Sequence, residues 1–323
     1  MTTLQSFAKM KNIFEYKQQK KRPIMNVFIT GGMGFVGQHV CRHLLEKGHQ
    51  VTACGRSASQ NKLAHPNFTY LSIDTSVKGD WQSTIEQFDT IINLAGLTIF
   101  KRWNDTYKQT LYNSRIQTTR NIVSAMSKNT CLFSASAIGY YGPCGDEPVT
   151  ENHPAGKDFL AAVCKDWETE ALKAETKGCR VTIGRFGIIL GQGGGALQSM
   201  LPAFRLLLGG PLGDGKQWFP WMHIHDLCRA ILFLLEQADL SGAYNFCAPQ
   251  AIRNKEFVRA LGSTLNRPAV IPAPAFMIRL IFGELAEALL TGQKAIPEQL
   301  VNNGFEFKYP DINHSLQNIL EIH

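Results

Sequence analysis

The 323-residue chain has no cysteine pair at metal-binding spacing: its eight cysteines are scattered, with no Cys-x-x-Cys, and no histidine cluster stands at ligand spacing. That pattern argues against zinc and predicts reduced, mostly buried thiols, as in a cytoplasmic protein. No apolar run has the make-up of a secretory signal or a membrane span. The most apolar stretch, residues 275–290, is short and carries Arg279, Glu284 and Glu287. It is expected to form a helix that packs on a C-terminal lobe or in a subunit interface, as of a homodimer. A basic folded surface is also lacking. The formal charge is +7, but Lys9, Lys11, Lys17, Lys20, Lys21 and Arg22 against Glu15 put +5 of it in residues 1–24, leaving +2 for the rest. A near-neutral body gives no electrostatic case for a nucleic-acid partner. Internal repeats, low-complexity stretches and long linkers are absent too, and 44% hydrophobic with 18% charged residues describes an ordinary globular chain with room for one large domain and a lobe.

What is present is concentrated in Asn26 to Gly37, read Asn-Val-Phe-Ile-Thr-Gly-Gly-Met-Gly-Phe-Val-Gly. The apolar run Val27-Phe28-Ile29 predicts a central parallel strand covered on both faces. Gly31 permits a tight exit from it, Gly34 lets the backbone approach a pyrophosphate, and Gly37 lets the following helix pack closely. That helix has apolar positions Val36, Val40, Leu44 and Leu45 and aims its N-terminal amides at the phosphates. Thr30, Gly31, Gly34, Phe35, Val36 and Gly37 are therefore candidate dinucleotide-binding residues. Because Met25 falls directly before the strand, residues 1–24 read as a dispensable, disordered basic extension, a start codon called too early, or a transit-like address.

The form Thr-Gly-x-x-Gly-x-x-Gly near the N-terminus resembles the extended short-chain dehydrogenase/reductase (SDR) family. The Arg102-Trp103 pair, the Ser-Arg-Ile-x-x-Thr pattern from Ser114 to Thr119, and Gly139-Tyr140-Tyr141-Gly142 resemble an atypical subgroup, the epimerase family, which has its own C-terminal domain of unknown function. The resemblance runs from Met25 nearly to His323. It implies an α/β fold: a Rossmann doubly wound parallel sheet over residues 25–190, with 217–248 returning to it, and a small α+β substrate lobe from 191–216 and 249–323.

After the second strand, around residues 49–54, come Gly55-Arg56-Ser57. NAD sites place a carboxylate here, whereas a 2′-phosphate needs a cation, so Arg56 favours NADP(H) over NAD unless it is merely a solvated loop residue. Asp74, at the end of the third strand, either reaches the adenine amino group, as the resemblance implies, or caps its own turn. Asn93-Leu94-Ala95-Gly96 resembles the segment over which the nicotinamide half passes, making Leu94, Ala95 and Gly96 cofactor candidates. The resemblance adds Ser134, Ile188 and Ile189, the last two from the turn after the sixth strand. Lys101, Arg102 and Arg115 would receive an anionic substrate or form an exposed basic face.

For chemistry, Ala135-Ser136-Ala137 resembles the segment whose serine bonds the reacting oxygen, which assigns that role to Ser136 at a strand's C-terminal end. The family's Tyr-x-x-x-Lys is incomplete. Lys165 fits the lysine that holds the nicotinamide ribose, but four residues earlier stands Ala161, which does no acid/base chemistry. Tyr140 and Tyr141 are the nearest phenols, as replacement catalysts or as pocket walls. Trp221 and His223 are candidates for the substrate pocket, with His223 better read as structural, and Asp226 is expected to cap the helix after it. The reading is an NADP(H)-dependent oxidoreductase or nucleotide-sugar epimerase-like enzyme acting on a small hydroxyl or carbonyl compound; the missing tyrosine keeps a non-catalytic NADP(H) sensor as the alternative.

Overall fold

The computed structural model describes residues 23–57 and 63–321, so the basic extension lies outside the described residues except for Pro23 and Ile24. Strands β1 (Asn26–Thr30), β2 (Gln50–Gly55), β3 (Phe68–Ser72), β4 (Thr90–Asn93), β5 (Cys131–Ala137), β7 (Arg180–Phe186) and β10 (Gly242–Phe246) form one sheet in the order β10-β7-β5-β4-β1-β2-β3. Every pairing in it is parallel. The order reverses beside β1, which creates the crevice in which such sheets bind ligands.

Helices α1 (Phe35–Glu46), α2 (Trp81–Ile85), α3 (Asp105–Ala125), α4 (Phe159–Leu172) and α6 (Ile224–Glu236) cover the two faces, while α5 (Gly195–Arg205), between α4 and α6 in the chain, belongs to the lobe. Alternation along β1 divides the core. Val27 and Ile29 join Val40 and Leu44 of α1 and Leu227 and Ile231 of α6, while Phe28 joins Ile122 of α3 on the other face. Strand β5 runs on to Ala137, carrying Ser136 into the ladder opposite Arg185.

The chain leaves the sheet at Gly187 and returns for β10. In between, β8 (Ile188–Leu190) pairs with β9 (Trp221–His223). A second core gathers Leu197 and Phe204 of α5, Trp221, Phe257 of α7 (Asn254–Leu265) and Leu316 of the last helix. The predicted helix over 275–290 is two, α8 (Ala275–Phe282) and α9 (Leu285–Leu290), because Gly283 turns the backbone at φ +59°. Only Ile278 of α8 is buried; Phe276, Leu280 and Ile281 are 69%, 71% and 58% exposed, so the helix packs on the lobe along one narrow line. β6 (Pro148–Val149) pairs with β11 (Lys294–Ala295), and α10 (Glu298–Asn302) and α11 (Ile312–Ile319) close the chain. No helix among the described residues is long and apolar enough to cross a membrane.

Candidate active site

The glycine turn has the geometry its spacing suggests. Gly31 adopts φ +67°, and a Cβ there would stand 2.9 Å from the Leu94 carbonyl oxygen. At Gly37 a Cβ would fall 2.3 Å from the Gly31 oxygen and 2.7 Å from the Gly32 Cα, so strand and helix meet backbone to backbone. Gly34 is the N-cap of α1 and supplies no capping side chain. The first amides of the helix are thus left for a ligand's phosphates, and the cradle fits a dinucleotide. Thr30 works inward, its Oγ1 donating to Asn93 Oδ1 at 2.7 Å and accepting from the Ala95 amide. Phe35 lies against Gly194 and Gly195, tying the start of α5 to the turn. Val36 is half-buried against the core.

A cleft of about 180 Å³ opens over the strand ends, with Gly31, Gly34, Arg56, Asp74, Ala95 and Gly96 in its wall. Arg56 is exposed, and its carbonyl accepts from Ser72 Oγ. Asp74 caps its own turn: Oδ1 accepts from the Ser76 amide at 3.0 Å and from Ser76 Oγ at 2.6 Å. Leu94 is half-buried, and Ser134 and Ile189 are buried beneath the site, whereas Ile188 is half-buried and donates its amide to the Pro220 carbonyl.

Arg115 does not belong to an exposed basic face. Its guanidinium donates to the Leu97 carbonyl at 2.9 Å and the Leu111 carbonyl at 3.1 Å, and it lies over the Trp167 ring. Burial lowers its pKa. It holds the loop after β4, where a Cβ on Gly96 would meet it at 3.1 Å.

At the end of β5, Ser136 is buried and its hydroxyl donates to Glu168 Oε1 at 2.6 Å. Arg185 grips the same carboxylate with both arms, Nε to Oε1 at 2.9 Å and Nη2 to Oε2 at 2.8 Å. Its Nη1 donates to the Tyr141 hydroxyl at 2.9 Å and the Glu151 carbonyl at 3.0 Å. The Tyr141 hydroxyl in turn donates to Asn245 Oδ1 at 2.7 Å. Ser136, Arg185 and Asn245 are register partners on β5, β7 and β10, so the network is a polar row along the sheet's C-terminal edge. Burial opposes the charge on Arg185, but the bonds and charge of Glu168 outweigh it and raise its pKa.

This network places the proposed catalytic residues differently from one another. Tyr141 is 2% exposed with its hydroxyl used twice, and burial raises its pKa, so it is a structural anchor rather than a free phenol. Tyr140 is half-buried, with the Arg185 guanidinium 3.6 Å from its ring centre. Lys165 is exposed on the outer flank of α4. The row that faces β5 is Leu160, Cys164 and Glu168, four residues apart: Leu160 lies against Gly139, and burial raises the Cys164 thiol to about 12. The family spacing fits Leu160 and Cys164 as well as Ala161 and Lys165, and on either register the phenol is absent.

Glu168 and Arg185 were missed from the sequence. The signal was their register: Arg185 opposite Ser136 on the neighbouring strand, and Glu168 two turns after Leu160. Asp226 is not the cap of α6. That place belongs to His223, whose Nδ1 accepts from the His225 amide at 2.9 Å, while Asp226 accepts from the amides of Lys308 and Tyr309 and from Arg229. His223 is buried and stacked on Tyr309 at 4.0 Å, and burial lowers its pKa to about 4. Trp221 is 1% exposed inside the lobe core, away from solvent.

A sequence model of the NAD dependent epimerase/dehydratase family matches residues 27–247, and one of a domain of unknown function (DUF1731) matches residues 273–319. A chloroplastic epimerase family protein homolog of Arabidopsis thaliana is 38% identical over 308 residues, 94% of this chain and 88% of its own. An epimerase family protein of Staphylococcus haemolyticus is 38% identical over 300 residues, 91% of this chain and 98% of its own. The crystal structure of a human epimerase family protein with NADPH superposes with a TM-score of 0.83 at 32% identity, covering 93% of this chain and all of that one.

Proposed function

Because the chain belongs to the NAD dependent epimerase/dehydratase family, we propose that it is an NADP(H)-binding oxidoreductase or epimerase-like enzyme of the SDR type, acting on a small hydroxyl or carbonyl compound. The observation that carries the cofactor choice is Arg56 in the cleft wall, with the neighbouring Asp74 engaged by Ser76. A guanidinium there suits a 2′-phosphate, and the human relative was solved with NADPH. Gly31, Gly34 and the first amides of α1 would hold the pyrophosphate, and Ala95 and Gly96 would border the nicotinamide half. A nicotinamide, when bound, gives or takes a hydride. The chain supplies the rest. Ser136, whose proton goes to Glu168 here, offers lone pairs to a substrate hydroxyl and would turn that proton toward the oxygen of a carbonyl substrate. Tyr140 is the phenol left for proton transfer, its ring set by Arg185.

The alternative is a non-catalytic NADP(H) sensor, favoured by the exposure of Lys165 and the inert row Leu160 and Cys164. One experiment separates the two: NADPH consumption against a carbonyl panel, with parent protein, Ser136→Ala and Tyr140→Phe. An enzyme loses about 10²–10³ in turnover with Ser136→Ala at unchanged NADPH affinity. A sensor turns over nothing in any variant. Parent protein should also prefer NADPH to NADH, and Arg56→Glu should erase that preference, a loss of roughly tenfold or more; equal binding by the parent would sink the NADP(H) assignment.

A further inference from the structure

The surroundings of Tyr140 say what the site is built to receive. A wall of apolar side chains stands beside its loop. Leu160 lies against Gly139; the next residue, Phe159, meets Trp103 edge to face at 5.4 Å; and Trp103 Nε1 donates to the Ile99 carbonyl at 3.0 Å. Tyr140, Leu160, Phe159 and Trp103 are all half-buried, so each keeps apolar surface open, and Phe100 beyond them is 52% exposed. A groove of about 340 Å³, in the size range of small-molecule sites, runs beside Phe159, with Tyr112 as a second aromatic and Asp105, Lys108 and Gln109 completing its lining.

The buried and half-buried cations along this wall are already engaged, and Lys101 and Arg102 are exposed at its rim. Arg185 is held by Glu168, and Arg115 by two carbonyls. Lys108 pairs with Glu284 from the turn between α8 and α9 and also lies over the Phe159 ring at 5.4 Å. Lys101 stands 5.7 Å from the Tyr107 ring centre. The N-terminus of α3, which opens at the same rim, is capped by Asn104 and carries Asp105 in its first turn. Its positive end therefore meets the chain's own carboxylate. A diphosphate arriving here would have to displace Glu284 or stand beside Asp105, whereas an uncharged ring system would cover open aromatic surface at no electrostatic cost.

From this wall we propose that the substrate is an uncharged carbonyl or hydroxyl compound with an aromatic or alicyclic body, not a nucleoside diphosphate sugar. The inference rests on the oxidoreductase reading above and narrows its substrate class. The test is calorimetric titration of the NADP⁺-loaded protein with 1-tetralone, a neutral fused-ring ketone, and separately with UDP and UDP-glucose. Saturable tetralone binding, weakened about tenfold by Phe159→Ala or by Trp103→Leu at unchanged NADP⁺ affinity, is expected, with no saturable binding of either nucleotide at millimolar concentration. Saturable UDP-glucose binding would overturn the proposal, as would failure of tetralone to bind or indifference to both substitutions. Loss of NADPH absorbance, followed in parallel on NADPH-loaded protein so that the ketone has a reductant, keeps the two claims apart. Tetralone that binds without hydride transfer supports the substrate class and counts against the oxidoreductase reading, while conversion of UDP-glucose does the reverse.

Discussion

Removing the charge of Arg185 while leaving Glu168 in place should be among the most damaging single changes available. In the Arg185→Met variant, the Glu168 carboxylate would lose both guanidinium bonds at 2.8–2.9 Å and stay 7% exposed with Ser136 alone as donor. Breaking a buried pair in this way costs about 3–5 kcal/mol, and Glu168→Gln should cost a similar amount by stranding the guanidinium. The double variant is the informative one. A glutamine still accepts from Ser136, and with no charge left the remaining damage is the unpartnered Glu151 carbonyl and the lost stacking on Tyr140. That amounts to about 1–3 kcal/mol. The double variant should therefore be more stable than either single, a strong negative coupling in a double-mutant cycle. Urea unfolding followed by circular dichroism measures all four proteins. Additive losses, or an Arg185→Met variant within about 1 kcal/mol of the parent, would show that the pair is not the buried unit described.

Gly37→Ala should abolish dinucleotide binding and lower stability, since its Cβ would sit 2.3 Å from backbone oxygen; fluorescence titration with NADPH checks the first effect and thermal unfolding the second. Tyr141→Phe should cost about 1–3 kcal/mol by leaving Asn245 and Arg185 short of a partner, while Tyr140→Phe should leave unfolding nearly unchanged. Acid should weaken the fold through His223. With its folded pKa near 4 against an ordinary 6.5, the unfolded chain binds more protons between those values. Stability is then present in full above pH 6.5 and lost as pH falls toward 4, by up to roughly 3 kcal/mol. His223→Gln keeps an acceptor for the His225 amide and should flatten the stability profile in that window; an unchanged slope would refute the assignment.

The sheet was legible because its signals are local. An apolar run, a glycine triplet and an amphipathic helix name β1, its turn and α1 without outside help, and Gly31 and Gly37 have the close contacts that their spacing implies. Boundaries moved where a local signal competed with a distant one: β5 runs on to Ala137 because β7 continues beside it, and the apolar run over 275–290 breaks at Gly283 because that residue takes a positive φ. The site was half legible. Ser136 could be placed from its motif, but which face of α4 looks at it depends on helix rotation, and a one-residue difference separates Cys164 from Lys165. Glu168 and Arg185 were invisible as a pair because they stand seventeen positions apart, one on a helix and the other on the strand that follows it. Nor could sequence tell Tyr140 from its neighbour, since the distinction is made by Arg185 and Asn245, far along the chain.

The polar row at the sheet's edge bears on the order in which a nascent chain can mature. Its members come from β5, β7 and β10, and the lobe excursion is translated between the last two. Until β10 emerges, β7 is an unprotected border strand, with Arg185 lacking its neighbour Asn245 and with Tyr141 lacking its acceptor. At about 5–20 residues per second on the ribosome, that interval lasts some seconds, long enough for an open strand to meet another chain. An early-folding amino-terminal half could pair Arg185 with Glu168 at once, but its edge would stay open until the returning strand seals it and Tyr141 finds Asn245.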